Sequence, residues 1–382
     1  MTHFTSLPTE LILKIFHLAS IGQPQSFRAS LSLVCKDWLD IAREVLFENA
    51  EIRVRGTDSA VPPPDFAHRI KNLVFQVDDK YVEDRVTDEE NPESDYGFQF
   101  PEIYTELARA ATSISSLTFS TSSNSYVAFP DKLLEHVSPK NITHLSISGY
   151  NGIPVKTIFQ VCYNLENLVL DGVFFLPLRN PKTLKLPPRR ISHFHLNVWS
   201  FGQYIKPVFE AMKDSISSLS FGISQSGRLQ VALQIVGQNL KSLTLLRPEA
   251  PPGTESPFPP SLLGALMTIK PECPNLEQLS LDAEFDWSTD PLALLLNLPP
   301  SLKSLSISKC HDISTHIVSA LRQPDWLPQL TELRVGFASS AEGGGGPIGR
   351  DLAMELCSKR GIRIRGKSTF MRVKTPKATV EE

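Results

Sequence analysis

Few residues of the types that support chemistry stand close together in this 382-residue sequence. Neither an H-E-x-x-H nor a G-x-S-x-G pattern occurs, so the zinc-protease and serine-nucleophile motifs are absent from it. The five cysteines are odd in number and far apart, and none forms a C-x-x-C pair. They are Cys35, Cys162, Cys273, Cys310 and Cys357. This spacing favours buried free thiols in a reducing compartment over a disulfide framework or a zinc site.

One glycine-rich segment matches a cofactor-binding motif by its letters. Gly344, Gly346 and Gly349 form G-x-G-x-x-G, the pattern of a dinucleotide-binding loop. Such a loop follows a strand directly and has an acidic residue about 20 positions later. Here eight residues separate Val335 from Gly344, and the following stretch is basic. The segment therefore predicts a loop rather than a nucleotide site, and we expect no cofactor.

A short pattern, apolar-x-x-Leu-x-apolar, recurs ten times from residue 70 onward and supplies the framework for the candidate target-binding site. Most copies start 23 to 28 residues after the previous one, near the leucine-rich repeat period of about 20 to 29 residues. The copies start at residues 70, 114, 142, 165, 191, 216, 240, 276, 302 and 330. Helix-like stretches between them span 155–162, 204–213, 229–236, 261–269 and 315–321. A strand followed by a helix, repeated, predicts an α/β fold, a solenoid with a parallel sheet on its concave face and helices and loops on its convex face.

The repeat is irregular. Ten matches to a loose pattern can arise by chance in a leucine-rich chain, but the regular spacing argues against chance. One copy, LKSLSISKC, carries Cys310 in the turn position, whereas most others lack Asn or Cys there. We therefore expect no ladder of capped carbonyls at that turn. The two longest gaps contain an acidic insertion at 78–95, with nine Asp or Glu, and a proline-rich loop at 248–260.

Strand alternation predicts a polar face on the sheet, because the neighbours of each leucine point away from the core. Small polar residues predominate there, and the aromatic and arginine anchors of tight interfaces are few. Adjacent strands lie about 4.8 Å apart, so polar residues of three consecutive copies should form one patch. They are His144, Asn167, His193, His195 and Asn197. This patch is our candidate target-binding surface, with a plain solvated face as the alternative. The spacing does not indicate a metal site.

The first fifty residues predict a separate helical module. The segment Leu7-Pro8-Thr9-Glu10 favours a helix start, because proline suits the first helical position and a nearby carboxylate can accept hydrogen bonds from free N–H groups. Apolar residues then follow at helical spacing, and a second and a third helix are predicted up to Phe47. Three short helices leave more apolar surface than they can bury among themselves, which is typical of an interface.

This segment resembles an F-box, a family that begins with Leu-Pro and a nearby Glu and ends with Val-Cys-Lys/Arg-x-Trp. The residues that match are Leu7, Pro8, Glu10, Leu11, Ile15, Phe16, Val34, Cys35, Lys36 and Trp38. The resemblance implies docking on the Skp adaptor of a Skp–cullin–F-box ubiquitin ligase. The implied adaptor-binding residues are Leu7, Pro8, Leu11, Ile12, Ile15, Phe16, Leu33 and Val34. The alternative is a helical cap on the solenoid. The repeats behind the segment resemble the irregular leucine-rich repeats that follow an F-box, especially in fungal proteins.

Composition and charge set the remaining expectations. The net charge of −3 gives no global attraction to nucleic acid or to an anionic membrane, and neither partner is expected. The stretch 359–377 carries eight Lys or Arg, which could instead contact nucleic acid or an import factor. No apolar run is long enough to cross a bilayer and the start does not resemble a signal peptide, so we expect the cytoplasm or the nucleus. The expected domains are 4–50, 51–366 and a disordered tail at 367–382.

These observations together predict a non-enzymatic adaptor. The expected function is substrate recognition in the ligase, with the N-terminal module docking on the adaptor and the solenoid binding an unknown target protein. Two alternatives remain open. One is a leucine-rich scaffold that serves no degradation, and the other is an enzyme with a site on the solenoid loops.

Overall fold

The computed structural model describes most of the repeat region and three residues near the N-terminus. The described residues are 11, 14, 15, 47–54, 62, 64–77, 102–121, 127–137, 139–173, 175, 184–198, 201–222, 226–246, 262–282, 291–308, 314–335 and 347–365. The chain divides into two compact units. The first contains residues 1–224 and 248–255, and the second contains residues 225–247 and 256–382.

The first unit is built on seven parallel strands that are neighbours in chain order. They are β1 (Asn49–Val54), β2 (Asn72–Val77), β3 (Ser116–Thr121), β5 (His144–Ser148), β7 (Asn167–Asp171), β8 (His193–Asn197) and β9 (Ser218–Gly222). A separate pair, β4 (Val127–Ala128) and β6 (Tyr150–Asn151), is also parallel. The helices are α1 (Glu102–Ala110), α2 (Asp131–His136), α3 (Val155–Val161) and α4 (Ile205–Met212). Short 3-10 turns span Pro64–Arg69 and Pro139–Asn141.

The second unit repeats the same alternation. Its five parallel strands are β10 (Ser242–Leu246), β11 (Gln278–Asp282), β12 (Ser304–Ser308), β13 (Glu332–Val335) and β14 (Arg363–Arg365). Its helices are α5 (Ser226–Val236), α6 (Leu262–Glu272), α7 (Pro291–Leu296), α8 (Ser314–Leu321) and α9 (Pro347–Lys359). A 3-10 turn at Gly237–Asn239 leads into β10.

The three apolar positions of every predicted repeat face the core. Each of these thirty side chains, from ten copies with three positions each, is at most 5% exposed. The helices cover them on the same side, as ring contacts show: Tyr104 of α1 meets Phe75 of β2 at 6.0 Å, and Phe209 of α4 meets Phe194 of β8 at 5.7 Å between centroids. Burial of this size is the dominant favourable term in folding. It explains why the leucine pattern alone places the strands.

The predicted α/β fold is confirmed. Leucine positions of neighbouring copies are register partners within each unit, as Leu145 is with Leu168. The five predicted helical stretches correspond to α3, α4, α5, α6 and α8, with boundaries shifted by three residues or fewer. The predicted domain boundaries stay predictions, because the division into two units falls inside the predicted solenoid. The acidic insertion, the proline-rich loop and the tail at 367–382 lie outside the described residues.

The sequence pattern did not predict two strands of the main sheet, β1 and β14. β1 pairs with β2, and Asn72 Nδ2 donates to Asn49 Oδ1 at 2.6 Å. Its segment starting at Phe47 fits the repeat except that Ala50 takes the leucine position, where it is 2% exposed. β14 pairs with β13, and its segment has Gly361 where the other copies have their first apolar residue. The copy at β14 also has Ile364 at the leucine position and Gly366 at the last apolar position, so neither copy fits the sequence pattern.

The ladder predicts a large effect from truncating one buried leucine. Leu219 of β9 is completely buried, so we expect Leu219→Ala to lower the free energy of unfolding by about 2 to 5 kcal/mol, as buried leucines do. Urea unfolding followed by circular dichroism measures the change. The matched control is Ser220→Ala, whose side chain points to the opposite face and should change stability by less than about 0.5 kcal/mol. Equal stability of the two variants would mean that the register is wrong.

Candidate protein-binding surfaces

Two apolar side chains near the N-terminus are exposed on a helix. Leu11 and Ile15 are 48% and 52% exposed, and Lys14 between them is also exposed. Residues four apart on a helix share one face, so the two side chains form a single apolar strip. Both belong to the predicted adaptor-binding set. The other predicted contacts lie outside the described residues, and they are Leu7, Pro8, Ile12, Phe16, Leu33 and Val34.

The structure brings the five residues of the predicted target-binding patch together on three adjacent strands. His144 of β5 is the register partner of Asn167 of β7, which is in turn the partner of His193 of β8. His195 and Asn197 follow on β8 at alternate positions. All five therefore lie on the outer face of the sheet, opposite the buried leucines. We call this group the histidine patch.

Asp171 lies beside the histidine patch, on the same face of the sheet. It is the register partner of Asn197, whose Nδ2 donates to Asp171 Oδ1 at 2.8 Å. The Asn197 oxygen is buried over Gly222, since a Cβ built on that glycine would lie 2.5 Å from it. The amide of Asn197 is therefore oriented by Asp171, with its oxygen turned towards Gly222 and away from solvent.

Burial keeps two imidazoles of the histidine patch neutral. Partial burial lowers the pKa of His144 below its ordinary value of 6.5. Burial also lowers the pKa of His195, although the negative charge of Asp171 opposes this effect. His193 is exposed, and its Nδ1 lies 2.8 Å from Ser192 Oγ. A neutral imidazole has one donor and one acceptor nitrogen, so His144 and His195 present hydrogen-bonding groups rather than positive charge at neutral pH.

Tight turns end the strands on either side of this patch. Gly149 and Gly172 have φ angles of 77° and 58°, in the left-handed region that glycine adopts without strain. Their N–H groups donate to Asp171 O at 3.0 Å and to Asn197 O at 2.8 Å. A Cβ at Gly149 would lie 2.7 Å from Thr121 Cγ2. These turns follow β5 and β7 directly, and their hydrogen bonds link the end of each strand to the next strand.

The sequence analysis missed a second set of polar residues, which hold the repeats together. Each stands immediately before the first apolar residue of a copy and donates to a backbone carbonyl of the preceding repeat. The contacts are Asn141 to Thr112 at 2.7 Å, Asn164 to Lys140 at 2.6 Å, Asn275 to Gln238 at 2.9 Å, Ser215 to Arg189 at 2.9 Å and Ser301 to Leu276 at 2.7 Å. Carbonyl capping therefore occurs at the start of the strands, whereas the prediction considered only the turns after them. The recurrence of Asn or Ser at one offset was the available signal.

Burial makes the described cysteines poor nucleophiles and poor metal ligands. Cys162, Cys273 and Cys357 are free and buried. Burial raises the pKa of Cys162 and of Cys273 to about 12, so neither forms the thiolate that acts as a nucleophile or a metal ligand. Within the described ranges, no three His, Cys, Asp or Glu side chains are placed to share a metal ion, and no helix has the length and apolar content needed to span a membrane.

Two glycine motifs resemble phosphate-binding loops only by their letters. The first, at Gly344 to Gly349, runs into α9, and its first two glycines lie outside the described residues. The second is GIRIRGKS at 361–368, which fits G-x-x-x-x-G-K-[ST]. A phosphate-binding loop joins a strand to a following helix. Here helix α9 precedes Gly361, and Arg363–Arg365 within the motif form strand β14. The described part of the motif is therefore a strand of the sheet rather than a loop around phosphate.

An open polar depression lies at the strand starts of the second unit. Its volume is about 450 Å³. Its lining is made of Gln238, Asn239, Lys241, Asn275, Glu277, Ser301, Lys303 and Gln329. Lys303 Nζ and Glu277 Oε2 form an ion pair at 3.1 Å, and both side chains remain exposed. The lining offers hydrogen bonds and charge without the apolar walls that ordinarily enclose a small molecule.

Comparison with known proteins identifies the N-terminal segment. Residues 4–50 match the family model described as F-box-like. No curated protein matches the chain. A crystal structure of a protein from Bacteroides fragilis is similar with a TM-score of 0.38 and 12% sequence identity. That match covers 68% of this chain and 66% of that protein, just under two thirds of its length. A likeness this weak supports no conclusion about family or function. The resemblance of the repeats to those of fungal F-box proteins therefore stays a prediction.

The lowered pKa values predict that acid destabilises the fold through the histidine patch. Between the lowered pKa and 6.5, the unfolded chain binds more protons than the folded one, so stability falls as pH decreases through that window. We expect a double variant, His144→Gln with His195→Gln, to lose less stability between pH 7.5 and pH 5.5 than the wild type. Urea unfolding at the two pH values measures this. Asn167→Gln, on the same face without a titrating group, is the control and should keep the wild-type dependence.

Proposed function

We propose that this protein is a substrate-recognition subunit of a Skp–cullin–F-box type ubiquitin ligase. The observation that carries the proposal is the F-box-like match at residues 4–50, together with the exposed strip of Leu11 and Ile15 inside it. In this role the N-terminal segment docks on a Skp-type adaptor, and through it on a cullin-RING ligase. The repeat units hold the target protein. Such work belongs in the cytoplasm or the nucleus.

The proposed adaptor contact is apolar. A partner that covers the exposed Leu–Ile strip removes its apolar surface from water. This burial stabilises the complex by about 25 cal/mol for each Å² of apolar surface. We assign the docking face to Leu11 and Ile15, together with the residues that the family pattern adds. Those are Leu7, Pro8, Ile12, Phe16, Leu33 and Val34.

The proposed contribution of the repeat units is positioning. A target held beside a ubiquitin-carrying enzyme experiences a high effective concentration of that enzyme, which raises the transfer rate without any catalytic group on this chain. The histidine patch is our candidate contact for the target, since it groups hydrogen-bonding side chains on one face and Asp171 orients the amide of Asn197. Ubiquitin transfer itself then belongs to other subunits, and this protein acts as a non-enzymatic adaptor.

Docking through the strip predicts a defined loss of adaptor binding. We expect Leu11→Asp with Ile15→Asp to abolish co-purification with a Skp-type adaptor, because the charges would have to be buried in an apolar contact. The matched control is Lys14→Asp, which changes an exposed residue of the same helix outside the strip. Leu7→Asp with Pro8→Ala should behave as the strip variant does.

A loss of adaptor binding supports docking through the strip only if the variants remain folded. Circular dichroism should give all of them the wild-type melting temperature, since the repeat core is untouched. Full co-purification by the folded strip variant would refute the docking assignment and favour a helical cap on the repeats.

Modification of bound proteins separates a ligase subunit from a scaffold. We expect proteins captured by the full chain to carry more ubiquitin than proteins captured by the Leu11→Asp, Ile15→Asp variant, because only the wild type brings them to the ligase. Mass spectrometry of the captured proteins measures this difference. Equal modification in both captures would favour a scaffold that serves no degradation. Turnover of a small molecule by the purified chain would instead favour an enzyme.

A further inference from the structure

Four charged side chains form a square on the outer face of the last two strands of the second unit. Glu332 of β13 is the register partner of Arg363 of β14, and Arg334 is the partner of Arg365. Between them on the inner side lies Leu333, which is completely buried. Strand alternation therefore puts all four charges on the same surface. We call this group the arginine square.

Glu332 contacts two of the guanidinium groups, and each arginine makes the contact through its Nε atom. Its Oε1 lies 3.0 Å from Nε of Arg334 and 3.1 Å from Nε of Arg365. The arginines keep the pKa of Glu332 below its ordinary value, with the hydrogen bond from Arg334 as the largest cause. Each guanidinium has five N–H donors, of which Nε supplies only one. Within the described residues, both arginines contact Glu332 through Nε, so their terminal nitrogens point to a second anion, and Glu332 sets their direction.

The arginine square is exposed and carries a surplus of positive charge. The side chains of Arg334 and Arg365 are 51% and 57% exposed, whereas Glu332 is 23% exposed. Arg363 is exposed as well. Three cations against one anion leave a net charge of +2 on four neighbouring positions. A surface of this kind attracts negative charge and orients it through guanidinium forks, which match a carboxylate geometrically.

The neighbouring strands contrast with this charge. The outer positions of β10, β11 and β12 are mostly small and uncharged, and they include Ser242, Thr244, Gln278, Ser280, Ser304 and Ser306. Positive charge on the described outer face of this unit is therefore concentrated at the β13–β14 end. A nucleic-acid site needs a longer basic track, because such proteins typically contact about six to ten phosphates. Arg363 and Arg365 also belong to the basic stretch 359–377, whose residues beyond 365 lie outside the described ones. The described square by itself is short, which favours a short acidic peptide segment.

We propose that the arginine square binds an extended acidic segment of a partner protein, with Glu332 as the residue that positions the guanidinium groups. Alternate residues of an extended chain lie about 6.6 Å apart, which is also the separation of Arg363 and Arg365 along their strand. Carboxylates at every second position of the partner therefore match the square. The inference adds to the proposed function a contact for the target, but the arginine square does not take part in adaptor docking.

Fluorescence anisotropy with the purified full chain tests the proposal. The probe is a labelled eight-residue peptide of alternating Glu and Ser, and its matched control is the Gln–Ser peptide. We expect the first peptide to bind and the second to bind at least about tenfold more weakly, because charge-assisted hydrogen bonds are lost. Arg363→Gln with Arg365→Gln should weaken the Glu–Ser peptide by about tenfold or more. Arg322→Gln removes an exposed charge outside the square and should change binding by less than about twofold.

Glu332→Gln distinguishes positioning from simple charge. The substitution removes one negative charge and so raises the net charge of the surface by one. A purely electrostatic surface would therefore bind the acidic peptide more tightly. We expect weaker binding instead, because the guanidinium groups lose the carboxylate that orients them. Tighter binding would overturn the positioning role.

Three further results distinguish the peptide site from a nucleic-acid site and from adaptor docking. Unchanged peptide binding by the folded Arg363→Gln, Arg365→Gln variant would overturn the site. Tighter binding of a labelled twelve-nucleotide single-stranded DNA than of the Glu–Ser peptide, lost in the same variant, would replace the peptide by nucleic acid. The Leu11→Asp, Ile15→Asp variant should keep wild-type peptide binding. Failure of adaptor docking and failure of this site are therefore distinguishable.

Discussion

The stacking of three apolar side chains per repeat is the constraint on which the rest of this structure depends. One strand cannot remove its leucine and its two apolar companions from water, so each repeat needs neighbours on both sides. A shift of one residue in any strand would expose the core side chains and bury the outer ones. The register is therefore fixed within each unit, and the outer positions are determined as a by-product of the core. Backbone carbonyls capped by Asn164 and Ser301 tie each repeat to the one before it.

The outer face is free to vary because the core does not depend on it. In the first unit this freedom is used for imidazoles and amides, and Asp171 orients the amide of Asn197. In the second unit the face is mostly small and hydroxylated until β13, where arginines replace serines. Both surfaces consist of hydrogen-bonding and charged groups set on rigid strands. Groups of this kind suit the recognition of another protein, because preorganisation limits the ordering cost of binding.

Most of the fold was predictable because hydrophobic periodicity is a local signal. Ten strands and five helical stretches followed from apolar spacing and from the intervals between copies. β1 and β14 were missed because Ala50 and Gly361 occupy repeat positions where larger apolar residues were expected. The polar residues of the histidine patch were also predictable, since strand alternation and register place them. The role of Asp171 was not, because a contact between neighbouring strands depends on side-chain direction rather than on spacing.

The sequence by itself determined the repeat period, the buried face of each strand and the apolar character of the first helix. These properties depend on residues a few positions apart, and the hydrophobic effect acts on them without regard to direction. Only the tertiary structure decided which polar groups meet. Glu332 and Arg365 lie on opposite sides of α9 in the sequence, yet their side chains lie 3.1 Å apart. Hydrogen bonds require a distance and an angle between particular atoms, and those are set only when distant segments have packed against one another.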